Sequence, residues 1–196
     1  MIKRLFDILA SLAGLALLAP LFVLIALAIK IDSAGPVFFR QQRVGRWGKP
    51  FRIVKFRTMS ARSDEARQLT VGDDCRITRV GHFLRHYKID ELPQLINVLY
   101  GTMSLVGPRP EVPRYVACYP PDARRIVLSV APGITDWASI LYRDEGRILG
   151  QASDPEKAYV DTILPIKLRY YMRYVQERSF WTDLQIICKT LVAIVH

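Results

Sequence analysis

Adjacent Asp and Glu side chains can share a metal, pass a proton or supply a carboxylate nucleophile. Such a pair occurs three times in this chain: Asp64-Glu65, Asp90-Glu91 and Asp144-Glu145. Asp64-Glu65 lies in the polar stretch ARSDEARQLT at 61–70 and reads as a solvated helical face. Asp144-Glu145 follows Tyr142-Arg143 and reads as partly paired with its own neighbours. Asp90-Glu91 differs, because it precedes an almost wholly apolar segment that Pro93 opens as a helix and Gly101 stops. Neighbours on a continuing helix diverge by about 100°. At a helix start the backbone is not yet helical, so both carboxylates can face one site, and the helix N-terminus favours anions there. Taken alone, acids in this position are most simply caps.

The basic residues nearby change the balance. Lys55, Arg57, Arg85, Lys88 and Arg109 belong to segments expected to pack around this helix. An acidic pair among several cations suits a diphosphate with Mg²⁺, which takes one or two carboxylates plus phosphate oxygens while basic side chains neutralise the rest. Histidine and cysteine offer no competing chemistry. His82 and His86 are four apart with no third ligand, and Cys75, Cys118 and Cys188 form an odd, unpatterned set that reads as free thiols.

The elements that must position these groups follow from length and patterning. The 196 residues make one domain with a real core, and a hydrophobic fraction of 51% excludes a protein of many membrane spans. Charge is unevenly distributed. Residues 1–62 hold eleven Lys and Arg against Asp7 and Asp32, whereas the remaining residues hold seventeen against sixteen acids. The excess positive charge therefore abuts the most apolar segment, which fits an anionic membrane surface better than nucleic acid.

That segment, Ile8 to Ile29, runs twenty-two residues without a charge and is long enough to span a bilayer as a helix. No small-residue cleavage site follows it, which argues against a signal peptide. A straight span and a re-entrant helix compete. Pro20 sits near the middle, where an interior proline bends a helix, and both flanks are basic, which a straight span cannot reconcile with the positive-inside rule. Both features favour the re-entrant form.

Residues 33–60 read as a small hairpin, Arg79 to His86 as an amphipathic helix, and Met103 to Pro110 as a rigid loop around Arg109. The last third is mostly helical. Its stretch Ile166 to Val195 mixes aromatic, basic and aliphatic residues in a way that suits either an interfacial helix or an ordinary core helix.

These residues resemble the bacterial sugar transferases, also called monotopic phosphoglycosyl transferases. The resemblance runs nearly end to end: Lys3-Arg4-x-x-Asp7, the membrane proline, Pro36-Val37-Phe38 with Arg40-Gln41-x-Arg43-x-Gly45, and Lys55-Phe56-Arg57-Thr58-Met59. It continues through Asp90-Glu91-Leu92-Pro93-Gln94-Leu95-Ile96-Asn97-Val98, Met103-Ser104-Leu105-Val106-Gly107-Pro108-Arg109-Pro110, Pro132-Gly133-Ile134-Thr135 and Ser179-Phe180-x-x-Asp183.

The resemblance implies a mostly α fold with a small β-hairpin, in one domain over residues 1–196. Residues 1–31 would form a Pro20-bent re-entrant membrane helix, and 32–196 a compact cytoplasmic part with interfacial amphipathic helices. It implies that Asp90 attacks the β-phosphorus of a nucleoside-diphosphate sugar, that polyprenyl (undecaprenyl) phosphate then takes the phosphosugar, and that Asp90 and Glu91 hold Mg²⁺. Lys55, Arg57, Arg85, Arg109 and Arg143 would bind phosphate. The implied setting is the cytoplasmic face of the bacterial inner membrane, with the lipid bilayer as partner, no nucleic acid, and a homo-oligomer left open. Three departures stand out: Ala19 where Ser is common, Thr102 where an acid is common, and Asp136-Trp137-Ala138-Ser139 where the family pattern runs Gly-Trp-Ala-Gln. The last lies in a loop expected to touch the sugar or nucleotide.

Overall fold

A computed structural model of the chain describes residues 2–60, 74–142 and 145–195. The polar stretch at 61–70, with Asp64-Glu65, falls outside the described residues, as do Arg143 and Asp144. The apolar run forms one helix, α1 (Ile2–Asp32), with Pro20 inside it. At 1.5 Å per residue it extends about 46 Å. Of its residues only Asp7, Ser11, Ile25 and Ile29 are buried, and these lie toward its two ends. The stretch between, with Leu12, Leu17, Leu21, Val23 and Leu24, is exposed.

Each end of α1 is tied to the rest of the chain. The hairpin β1 (Phe38–Val44) and β2 (Pro50–Phe56) follows, antiparallel, with Phe39 opposite Lys55. Beyond it come α2 (Arg79–His86), capped by Thr78, and α3 (Gln94–Leu99), stopped by Gly101 at φ +80°, where glycine carries no Cβ penalty. β3 (Ser104–Val106) comes next. At the start of α1 the Lys3 ammonium donates to the Val106 carbonyl at 3.1 Å, and Arg4 donates to the Leu99 carbonyl at 2.9 Å and to that of Val98. Asp7 accepts from the Ser104 hydroxyl at 2.8 Å and the Leu105 amide at 3.3 Å. At its end Asp32 accepts from the Val80 amide at 3.1 Å, and Ile25 and Ile29 pack with Phe56 and Leu84.

The remaining chain builds the main core. α4 (Pro113–Ala117) and α5 (Pro121–Val127) lead to β4 (Gly133–Thr135). Then come α6 (Trp137–Leu141), α7 (Glu145–Gly150), α8 (Pro155–Ala158), a π-helical turn at Tyr159–Ile163, α9 (Leu164–Glu177) and α10 (Phe180–Val195). Val112, Tyr115, Tyr119, Leu149, Leu168 and Tyr171 anchor this core.

The hairpin, α2 and α3 form where the sequence places them, and the mostly helical class with a small hairpin is correct. Two features differ. Met103–Pro110 is not only a loop, since β3 pairs in parallel with β4, matching Ser104 to Gly133 and Val106 to Thr135. That partner lies too far along the chain for local patterning to reveal it. The terminal amphipathic stretch is two helices: α9 is a core helix that buries Leu164, Leu168, Tyr171 and Tyr174, whereas α10 exposes Trp181, Leu191 and Val192.

The β3–β4 crossing depends on glycine. A Cβ on Gly133 would stand 2.1 Å from the Gly107 amide nitrogen, a backbone contact that cannot yield. Gly133→Ala is expected to cost about 3 kcal/mol or more and to lower the apparent Tm of the detergent-solubilised chain by many degrees. An unchanged Tm would show that this ladder does not hold the fold.

Candidate active site

Lys88 is the hinge that presents the acidic pair. It adopts a left-handed backbone conformation, φ 56°, unusual for a side chain with a Cβ, and turns the chain from α2 into a short 3-10 turn at Ile89–Glu91. Asp90 and Glu91 therefore leave the backbone before α3 begins, as the placement ahead of Pro93 predicts. α3 is itself held to the hairpin by Asn97, whose side-chain oxygen accepts from the Val54 amide at 2.9 Å and whose amide donates to the Arg52 carbonyl at 2.8 Å. The turn, β2 and α3 thus form one rigid unit.

The two carboxylates have opposite surroundings. Glu91 accepts from the Lys55 ammonium at 2.6 Å and receives a two-pronged contact from the Arg109 guanidinium, one prong at 3.0 Å. Burial alone would push the Glu91 pKa up, but Arg109 and Lys55 outweigh it and hold the carboxyl well below the ordinary range. Burial pushes the Lys55 ammonium down against the pull of Glu91. Asp90 is only 7% exposed, yet its carboxylate makes no hydrogen bond or ion pair among the described residues. Burial raises its pKa, and the nearby Glu91 charge adds to that rise against the pull of Lys55, Arg85 and Lys88.

Asp90, Glu91, Lys55, Arg85 and Arg109 line one cavity of about 1440 Å³. Arg85 lies at the end of α2, its guanidinium pKa lowered by burial and partly restored by Asp90 and Asp74. Arg57, also on the cavity wall, is committed elsewhere. Its guanidinium donates to the Ser33 carbonyl at 2.8 Å and to those of Ala34 and Ile29, so it caps the end of α1 rather than reaching toward Asp90. Arg143 lies outside the described residues. Glu145 receives the Lys167 ammonium at 3.0 Å, while Arg143 and Asp144, its neighbours in the expected local pairing, lie outside the described residues.

A second polar cluster on the same wall escapes sequence reasoning. Glu111 accepts from the Tyr159 hydroxyl at 2.6 Å and from Lys167 at 3.3 Å, and the Arg43 guanidinium stands 3.8 Å away. Burial would raise the Glu111 pKa, but Lys167 and Arg43 hold it below the ordinary range. The signal was weak. Lys167 sits in the aromatic and basic run that reads equally as an interfacial face, and Glu111 merely follows Pro110.

Fold and site together define a helix-anchored protein whose cavity sets a free carboxylate among cations, a setting fitted to phosphate-bearing substrates. Comparison with known proteins places it more narrowly. The family described as "Bacterial sugar transferase" matches residues 1–196, and the chain belongs to that family. It is 42% identical over 195 residues to a UDP-glucose:undecaprenyl-phosphate glucose-1-phosphate transferase of Caulobacter vibrioides, covering 96% of this chain and 68% of that one. It is 40% identical over 193 residues to a UDP-N-acetylgalactosamine-undecaprenyl-phosphate N-acetylgalactosaminephosphotransferase of Aeromonas hydrophila, covering 97% of this chain and 43% of that one. An uncharacterized sugar transferase of Bacillus subtilis is 39% identical over 191 residues, covering 97% of this chain and 85% of that one. The chain spans less than half the length of the Aeromonas relative.

The unequal carboxylates predict opposite stability effects. Because the folded pKa of Asp90 is raised above its ordinary 3.8, its favourable contribution exists below that value and is lost as pH rises through the folded pKa. Asp90→Asn should therefore gain stability over the parent as pH increases from about 4 to 7. The Glu91 pKa is depressed, so its stabilisation is present above the ordinary 4.5 and fades as pH falls through the folded value. Glu91→Gln should cost about 3 kcal/mol near neutrality and less in acid. Unfolding midpoints of both variants, measured from neutrality down to well below the ordinary 4.5 of Glu91, test the assignment, which a loss of stability in Asp90→Asn at neutral pH would contradict.

Proposed function

We propose that this protein transfers a sugar phosphate from a nucleoside-diphosphate sugar, a UDP-sugar in particular, to polyprenyl phosphate, yielding a polyprenyl-diphosphate sugar and UMP. The observation that carries this reading is the division of labour in the acidic pair: Glu91 is committed to Lys55 and Arg109, whereas the buried Asp90 carboxylate has no hydrogen bond or ion pair among the described residues. The printed activities of the Caulobacter and Aeromonas relatives supply the substrate class.

In this mechanism an Asp90 carboxylate oxygen attacks the β-phosphorus, the bond from that phosphorus to the bridging oxygen breaks, and UMP departs. A phosphate oxygen of the polyprenyl acceptor then attacks the aspartyl-phosphosugar and releases Asp90 as a carboxylate. Arg109 and Lys55, held in place by Glu91, take up charge on the phosphates, and Arg85 adds a further cation beside Asp90. Asp90, whose oxygens accept no bond among the described residues, would be the protein's ligand to Mg²⁺. The Glu91 oxygens are already occupied by cationic donors. When bound, the ion neutralises diphosphate charge.

Attachment to the cytoplasmic face of the bacterial inner membrane follows from the acceptor, whose phosphate lies at headgroup level. The re-entrant topology of α1 is supported by its ties. Lys3, Arg4 and Asp7 at one end and Asp32 at the other all bond to the same body, which a helix crossing the bilayer would have to split. Pro20 lies in the exposed stretch between them.

Asp90→Asn is expected to lower UMP release from UDP-sugars roughly 10³-fold or more while membrane binding persists. Turnover near the parent level would remove Asp90 as nucleophile, and nucleotide release independent of polyprenyl phosphate would point to a hydrolase instead. For topology, single cysteines at Ile2 and Gly45, in a background lacking Cys75, Cys118 and Cys188, should both be labelled from the cytoplasmic side. Labelling of Ile2 only from outside would make α1 a span.

A further inference from the structure

The cavity wall formed by β4 and α6 carries two hydroxyls whose protons are both committed. The Thr190 hydroxyl donates to the Ile186 carbonyl one turn earlier, at 2.8 Å. A hydroxyl has one proton. In the 2.6 Å contact between Thr135 and Thr190, Thr135 must therefore be the donor. The Ser139 hydroxyl donates to Asp136 at 2.5 Å. The other oxygen of Asp136 accepts from the Ala138 amide at 2.7 Å and the Ser139 amide at 3.1 Å, which caps α6. Thr135 and Ser139 both line the cavity, and each can offer a bound molecule only lone pairs.

This is the reverse of the Asp90 end, where Lys55, Arg85 and Arg109 are donors and the substrate's phosphate oxygens would be the acceptors. Ionised phosphate oxygens cannot bond to an acceptor-only hydroxyl, whereas an O–H or N–H can. We propose that Thr135 and Ser139 form a specificity-determining edge of the cavity, accepting hydrogen bonds from O–H or N–H groups on the uncharged part of the nucleoside-diphosphate sugar. This rests on the transferase reading above. Asp136 and Ser139 stand where the family pattern has Gly and Gln, so the Ser139 half of the edge is a property of this chain's own residues, whereas Thr135 belongs to the shared Pro132–Thr135 block. The donating group can belong to the sugar or to the nucleoside.

The test is a double-mutant cycle between protein and substrate. Initial UMP release by the full chain in detergent with undecaprenyl phosphate is measured on the fastest of UDP-glucose, UDP-galactose and their N-acetylamino counterparts, and on the monodeoxy analogues of that donor. UDP and N3-methyl-UDP serve as competitive inhibitors for the nucleoside arm. Ser139→Ala should lower kcat/KM about 3- to 10-fold, one hydrogen bond's worth. One analogue should cost the parent enzyme the same factor and the variant nothing further. Thr135→Val should behave likewise against a different group. A non-additive sugar analogue assigns the edge to the sugar, and a non-additive N3-methyl effect assigns it to the base. Additive losses throughout, or an unchanged Ser139→Ala, would overturn the proposal and leave the transferase reading standing. No UMP release by the parent from any donor would overturn both.

Discussion

The ion pairs of Glu91 are the interaction on which the site depends. Lys55 comes from β2, Arg109 from the segment after β3, and Glu91 from the turn between α2 and α3. One carboxylate thus joins three parts of the chain that are far apart in sequence. Such a cluster is costly to bury and costly to break. Its geometric consequence is that Lys55, the cation that acts most strongly on Asp90, is ion-paired to the neighbouring Glu91 instead. Asp90 is left buried, its pKa raised, with no hydrogen bond or ion pair among the described residues.

A second constraint acts on α1. A helix of about 46 Å would leave a small domain behind unless its ends were fastened. The fastening is polar at both ends. Lys3 and Asp7 reach β3, Arg4 reaches the end of α3, and Arg57 caps the last turn of α1 while Asp32 accepts from the start of α2. The same β3 that receives α1 precedes Arg109 by three residues, so the apolar helix and the cation bound to Glu91 share one support. Apolar burial contributes less here, because most of α1 faces outward.

The cavity is polarised along its wall. Lys55, Arg85 and Arg109 gather around Asp90 and Glu91, whereas the cations where β4, α6 and α9 meet, Lys167 and Arg43, are set against the carboxylates of Glu111 and Glu145. The Glu111, Lys167 and Tyr159 cluster stiffens this second region. It draws on the π-helical turn for Tyr159, and such turns recur where a helix must redirect a side chain at a functional site.

Much of this was legible in the sequence. The apolar run marked α1, amphipathic patterning marked α2 over Arg79 to His86, Pro93 and Gly101 bounded α3, and short extended segments separated by Gly45, Gly48 and Pro50 marked the hairpin, all because these signals act over a few residues. The importance of Asp90-Glu91 was legible through its placement before Pro93 and the basic residues nearby. Local pattern could not say which carboxylate is free, because that depends on Lys55 and Arg109 arriving from other elements. For the same reason Arg57 was read as phosphate-binding when its guanidinium is spent on α1, β3 was read as a loop because its partner lies on β4, and Lys167 could not be separated from an interfacial face. The sequence determined which groups were available and which short segments would present them. Only the tertiary structure decided their partners, because a buried charge is defined by what packs against it from elsewhere in the chain.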